Sequence, residues 1–407
     1  MANKVKISPT VLKWARESLH LPEQAVLEHF EKKTKKKFKV DATLLKQIES
    51  GSGQEIAFTL LQEFSSFYKR PLAVFFLDKP PVEPALPNDR RTIDSDVHKV
   101  ISPAAVLAIR RARYVQEVFR DLSKELDINL KFSFRRFSLS DNPVEMGVKF
   151  REALDFSLDA QKKVKDARGL FDAVRVKLES ANVFTIKSSF PLEDARAFSL
   201  VDQTPYLILI NNKDGGYFGY APKTFSLLHE FAHILLRESA ICNDFTHSHQ
   251  QIEKFCNSFA ASFLVPDKYF WEVLEINRSQ FVVASLDDYL DALKTAFKVS
   301  KDVLLRKCLT LKLINDDFYK TKIQEWKDEY EKEKKEKEEK GEEQFIPAIT
   351  PGRRAISNNG RKFVELVLHA RGEGKITVDS AADYLGVSLK SLPEVEKLSV
   401  KPRRVHA

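Results

Sequence analysis

Apolar residues recur every three or four positions along most of this chain, while β-branched or aromatic runs bounded by turn residues are few and short. That pattern predicts a mostly helical α+β protein with a small sheet. In the first 80 residues, "SPTVLKWARESLH" has a Ser-Pro start and Val11, Leu12, Ala15 and Leu19 at helical spacing. "LPEQAVLEHF", "DATLLKQIESG" and "IAFTLLQEFSSFYKRPLAVFFLDKPP" continue the pattern until prolines stop it, so an all-α module is expected at 1–80. The Pro-rich, charged stretch Pro80–Asp96 reads as a linker, and a helix over Pro103–Leu126 completes a connecting region at 81–140.

From 141 to 275 the pattern is mixed. "AQKKVKDARGLFDAVRVKLESANV" reads as one amphipathic helix with Leu170, Val174, Val176 and Leu178 among its apolar positions. "VFTIKSSF" and "YLILINN" read as strands, "NNKDGGYFG" as a turn, and two apolar helices follow, the second ended by Pro266. Residues 276–343 are expected to be helical and to end in a solvated helix or partly disordered tether, Tyr319–Glu343, where too few apolar positions recur to form a seam. A small helical module is expected at 344–407, with a glycine-bearing turn in "SNNGRKF".

Composition narrows the class of protein. Hydrophobic residues make up 43% of the 407 and aromatics 11%, enough for packed cores. No apolar run approaches the ~20 residues of a membrane helix, and the N-terminus lacks the unbroken apolar stretch of a signal peptide, so a cytoplasmic protein is expected. The three cysteines, Cys242, Cys256 and Cys308, form no CxxC pair and fit buried thiols in a reducing compartment. A formal net charge of +8 leaves nucleic acid open as a partner.

"HEFAH", at 229–233, sits inside an otherwise apolar helix. Residues four apart share a helix face, so His229 and His233 point the same way and can bind one ion. Glu230 is about 100° round the axis, placed to take a proton from a water molecule in the ion's open position as general base. Two histidines and a third protein ligand describe a catalytic zinc site for a single ion. The next helix offers that ligand in "IEKFCNSFAASFLVP": Ile252, Phe255, Phe259 and Phe263 form its buried stripe, and Glu253 and Asn257 share a neighbouring face. Glu253 completes a His/His/Glu set, and Asn257 can hydrogen-bond a ligand from outside it. Asp244, His247 and His249 in the preceding loop compete with Glu253 for the third place.

"TFSLLHEFAHILL" followed by "IEKFCNSFAASFLVP" resembles the ImmA/IrrE metallopeptidases, which carry HExxH and then a Glu-x-x-x-Asn helix running into Phe-Ala and an aliphatic-Pro end. "AFSLVDQTPYLILINNKD" is similar to the strands before that family's zinc helix. The resemblance implies a minimal zincin-like (thermolysin-like) domain with His229, His233 and Glu253 as zinc ligands and Glu230 as the catalytic residue. It implies a regulatory endopeptidase whose protein substrate is a repressor or similar regulator, cut after a stress or mobile-element signal. "VLKWARESLHL…LLKQIESG…YKRPLAVFFLDKPP" resembles the XRE-type helix-turn-helix often fused to these enzymes, and "NGRKFVELVLHARGEGKITVDSAADYLGV" the end of such fusions. Ala232 and Ala197 stand where relatives commonly have glycine, Ile48 replaces a Trp before "ESG", and "KKTKKKFK" stretches the helix-turn-helix turn.

Two further sets of residues carry expectations. Tyr217 and Tyr220, in the loop just before the zinc helix, and Lys223 are candidates to stabilise the oxyanion of peptide hydrolysis. Lys32, Lys33, Lys35, Lys36, Lys37 and Lys39 are candidates for DNA phosphates, and Thr43, Lys46 and Gln47 for reading bases. The competing reading makes the lysines a solvated loop on a module that packs only against protein. The alternative for the whole chain is a DNA-binding regulator whose zinc domain senses and does not cut.

Overall fold

The computed structural model describes residues 3–32, 38–50, 55–84, 86, 101–132, 134–215, 219–236, 249–339 and 349–400. Two compact units emerge, one within Met1–Leu86, Asp94–Arg111 and Ser189–Asp194, the other within Pro87–Ile93, Ala112–Ser188 and Ala195–Ala407. Among the described residues, no helix is long and apolar enough to cross a membrane.

In the first unit, helices α1 (Pro9–Glu17), α2 (Glu23–Lys32), α3 (Ala42–Ser50) and α4 (Phe58–Tyr68) surround a core of Val11, Leu12, Phe30, Leu45, Ile48, Leu61 and Phe64. Pro9 occupies the first turn of α1, where its missing N–H costs nothing. A buried fork joins α1 to α3: Arg16 Nε and NH2 donate to the two carboxylate oxygens of Glu49 at 2.8 and 2.7 Å. The module is not purely helical. Strand β1 (Lys4–Lys6) pairs antiparallel with β2 (Glu55–Ala57), with Val5 opposite Ile56. Each strand has three residues, too short for a periodic signal in the sequence.

The boundary between the units falls inside α5 (Pro103–Glu125). In the second unit α6 (Pro143–Ala153), α7 (Leu158–Lys163) and α8 (Ala167–Ser180) precede a three-stranded sheet of β3 (Val183–Ser188), β4 (Ala197–Leu200) and β5 (Tyr206–Asn211). The expected single helix over "AQKKVKDARGLF…" is thus two, broken at Val164–Asp166, where Asp166 caps α8 by accepting from the Gly169 N–H at 2.8 Å. Its apolar Val176 is exposed. In the sheet β5 is central, parallel to β3 from Val183↔Tyr206 to Ser188↔Asn211 and antiparallel to β4. Nearly every residue of β3 and β5 is buried, which is why both read as unbroken apolar runs. Then come α9 (Tyr220–Leu236), α10 (His249–Leu264), α11 (Asp267–Leu274), α12 (Leu286–Phe297), α13 (Lys301–Thr310) and α14 (Asp316–Glu339). The first half of α14 does build a seam, with Tyr319, Ile323 and Trp326 packed against the core at i, i+4 and i+7.

Helices α15 (Pro351–Asn359), α16 (Arg361–Gly372), α17 (Val378–Leu385) and α18 (Leu392–Val400) end the unit. Their docking onto α8 and β3 is polar and buried. Arg175 donates to the Ser357 carbonyl at 2.9 Å, to the Thr185 carbonyl, and to Glu179 at 3.1 Å. Gly360, at φ +84°, lies so close that a Cβ there would meet Arg175 NH2 at 2.5 Å. Lys187, pointing from β3, donates to Ser357 Oγ at 2.8 Å.

Burial first, then the Arg175 charge, lowers the Lys187 ammonium from 10.5 to about 7. The unfolded chain keeps that proton up to about pH 10.5 and the folded chain releases it near 7, so unfolding takes up a proton in between and stability rises with pH. The slope from this one group reaches at most about 1.4 kcal/mol per pH unit. Lys223, lowered to about 8 by burial, adds a slope of the same sign above pH 8. Urea unfolding at pH 7 and pH 9 is expected to show a higher midpoint at pH 9 and a smaller difference in Lys187→Met. An equal difference in the variant would contradict the assignment.

Candidate metal centre

Helix α9 is buried nearly all round, and the β5–α9 loop fixes where it starts. Asp214 is fully buried; its carboxylate accepts from Arg196 at 2.6 Å and from Ser226 Oγ at 2.8 Å. Lys223 Nζ donates to the main-chain carbonyls of Asp214 at 2.6 Å and Gly219 at 3.0 Å. At the far end, the carbonyls of Leu235 and Leu236 that a helix terminus leaves open accept from the Phe137 N–H at 2.8 Å and Arg136 Nε at 2.9 Å.

Helix α10 is held as firmly. A Cβ on Gly147 of α6 would lie 2.7 Å from the Phe259 carbonyl oxygen, so glycine is what lets the two backbones approach. Buried Arg151 donates to the Phe263 carbonyl at 2.9 Å, and Gln161 to that of Leu264 at 3.1 Å, closing the C-terminal end of α10. Ile252, Phe255, Phe259 and Phe263 are buried as the stripe required, which turns Glu253 and Asn257 toward α9.

Donor atoms of three residues meet there. His229 Nε2 is 3.2 Å from Glu253 Oε2, His233 Nε2 is 3.2 Å from Glu253 Oε1, and the two Nε2 atoms are 3.2 Å apart. All three residues are buried, with at most 4% of their surface exposed. Ligands on a tetrahedral ion at ~2.0–2.1 Å stand about 3.3 Å from one another, so the spacing fits such an ion. The buried Glu253 carboxylate has the two imidazole Nε2 atoms against it, and a cation bound among these three groups satisfies them together. Burial alone would raise the Glu253 carboxyl, but the two imidazoles hold it well below the usual carboxylate range. Burial would lower His233, and the neighbouring Cys256, Glu253 and Glu230 reverse this and raise it to about 10. The cluster therefore draws positive charge. Two imidazoles and a carboxylate suit zinc and similar divalent ions.

His229 Nδ1 lies 3.0 Å from Asn257 Oδ1, where it donates its proton, and Nε2 is turned toward Glu253 and His233. Asn257→Ala is expected to weaken metal binding about 10- to 100-fold. Competition with a chelating dye measures this, and an unchanged affinity would remove Asn257 from the site. Glu230 is buried one step along α9, near enough for its charge to act on His233.

Tyr220 is nine residues before His229, about 13 Å along the axis, and its hydroxyl accepts from Lys187 at 3.4 Å. Lys223, six residues before His229, has its ammonium on two main-chain carbonyls of the loop. Tyr217, Asp244 and His247 lie outside the described residues, as does the His249 side chain. Lys33, Lys35, Lys36 and Lys37 also lie outside them. Lys32 and Lys39 are exposed, and Thr43, Lys46 and Gln47 are exposed on α3 opposite buried Leu45, Ile48 and Glu49. Asp214, Ser226, Arg151, Gln161 and Gly147 were not singled out in the sequence, and only the "NNKD" turn hinted at one of them.

Residues 178–309 match the family model of the IrrE N-terminal-like domain, a peptidase family. The match runs from the end of α8 to the end of α13, so it takes in the sheet, both helices of the cluster and Glu230. It covers about a third of the 407 residues and supports the ImmA/IrrE resemblance for the central part of the chain. The first unit's helical module lies outside it. No curated protein and no solved structure matches the chain at a significant level. The IrrE-like segment supports a metallopeptidase role and, with it, a protein substrate.

Proposed function

We propose that the chain is a cytoplasmic zinc-dependent endopeptidase that cuts a regulatory protein, such as a repressor, in response to a stress or mobile-element signal. The observation that carries this reading is the convergence of His229, His233 and Glu253, with 3.2 Å between their facing atoms, and Glu230 next to His229 on α9. A bound zinc ion supplies Lewis acidity at that point. His229, His233 and Glu253 hold it, Asn257 fixes the His229 tautomer, and the surrounding apolar helices exclude bulk water. Glu230 takes a proton from the attacking water and passes it to the departing amide nitrogen. A regulatory enzyme fits better than a digestive one because a separate helical unit accompanies the IrrE-like segment.

The test is cleavage of a diverse peptide library by the zinc-loaded full chain, with cut positions read by mass spectrometry. Cuts that vanish with chelator support the proposal, and a library left intact with one zinc per chain refutes it. A second reading rests on the exposed Thr43, Lys46 and Gln47 of α3: a DNA-binding regulator whose metal domain senses. It requires salt-dependent DNA binding and a regulatory response that survives loss of hydrolysis.

A further inference from the structure

Within the second unit, α8, α9, α12, α13 and α14 line a cavity of ≈ 740 Å³. Its wall reaches α9 at Ala221, eight residues and about 12 Å before His229, so it is distinct from the metal cluster. The size lies within the ~300–1,000 Å³ of small-molecule sites. Its lining is basic on balance: it holds Lys294, Lys298, whose ammonium donates to the Thr295 carbonyl, and Lys301, against one carboxylate, Glu329. Lys301 pairs with Asp291 at 2.7 Å, and Lys294 acts on the same carboxylate, so two ammonium groups share one counter-ion.

One further fixed positive charge, that of Arg168, stands near this lining, together with two buried amines. Next to Ala221, the Tyr220 ring has Lys187 Nζ at 5.2 Å, Lys223 Nζ at 5.3 Å and the Arg168 guanidinium at 5.6 Å. The wall also meets the first turns of α8 and α9 at Ala167 and Ala221, and Ser300, the N-cap of α13, so three positive helix ends border it. The aromatic element is Trp326, which the α14 seam brings to the wall.

We propose that this cavity binds a nucleotide, its phosphates against Lys294, Lys298 and Lys301 and its planar ring against Trp326. A phosphate chain fits better than a peptide carboxylate because it concentrates several negative charges where three ammonium groups outnumber their counter-ions. The indole face gives a base a stacking surface. The site is independent of hydrolysis at the metal and can be tested without it.

The experiment titrates ATP and pyrophosphate separately into the full chain by calorimetry at ~0.1 M salt, where screening is moderate. Both are expected to bind, ATP more tightly. Lys298→Glu combined with Lys301→Glu is expected to weaken both at least about tenfold through charge reversal. Trp326→Ala is expected to weaken ATP about fivefold or more by loss of stacking, and to leave pyrophosphate within about twofold, which also shows that the variant is folded. Absence of heat from either probe up to about 10 mM, weaker than the millimolar end of specific binding, would overturn the proposal. So would affinity unchanged in the lysine variant, which would place binding elsewhere on this basic chain. ATP binding no tighter than pyrophosphate would overturn the ring's place on Trp326.

Discussion

Glu230→Gln is expected to lower peptide hydrolysis by about 10²- to 10⁴-fold, the usual contribution of a general base, while the protein keeps one metal ion per chain. The glutamine amide has nearly the shape of the carboxylate but cannot accept the proton of an attacking water. Metal content is preserved because the three converging donor atoms belong to His229, His233 and Glu253, and Glu230 contributes none of them. The fold also stands apart from the change: α9 is held by Asp214, Ser226 and Lys223 at one end and by Arg136 and Phe137 at the other. Single-turnover rates and metal analysis on the same preparation make the comparison. A variant that cuts at the wild-type rate would show that Glu230 is not the base. A variant that loses its metal would show that Glu230 acts in binding.

The parts of this protein that could be read from its sequence are those whose physics is local. The HExxH spacing on α9 and the Glu253/Asn257 spacing on α10 follow from the pitch of one helix each, and the buried stripe of α10 fixes which way Glu253 faces. The strands β3 and β5 were legible because both faces of the sheet are covered, so their apolar runs are continuous. What positions the cluster was not legible, because it depends on pairs far apart in the chain. Arg151 meets the end of α10 from 112 residues away, and Gly147 is required only because another backbone presses on it. Lys223 shows the same limit from the other side. A cation at the start of α9 invites a role in charge stabilisation, and nothing in the sequence shows that its ammonium donates to two carbonyls of its own loop. Residues of α14 were misjudged for a third reason: dense charge on three sides hides the single apolar row of Tyr319, Ile323 and Trp326.

Removing the metal is expected to lower the melting temperature of the second unit by roughly 10 °C. An ion that binds only the folded state at a thousandfold excess over its Kd stabilises it by about 4 kcal/mol, and a domain of this size shifts by roughly 2–4 °C per kcal/mol. The cluster gives a specific reason for a large value. Without a cation, a buried carboxylate has only two imidazoles against it, and two ring nitrogens face each other at 3.2 Å. Glu253→Gln separates this effect from a general action of the chelator. Its side chain fills the same space, but the buried negative charge is gone, so metal affinity falls and the melting temperature no longer responds to chelator or to added zinc. Hydrolysis is lost with it. If Glu253→Gln still binds one ion tightly and melts lower when that ion is removed, then the third ligand is some other group, and the two-helix geometry is not what holds the metal.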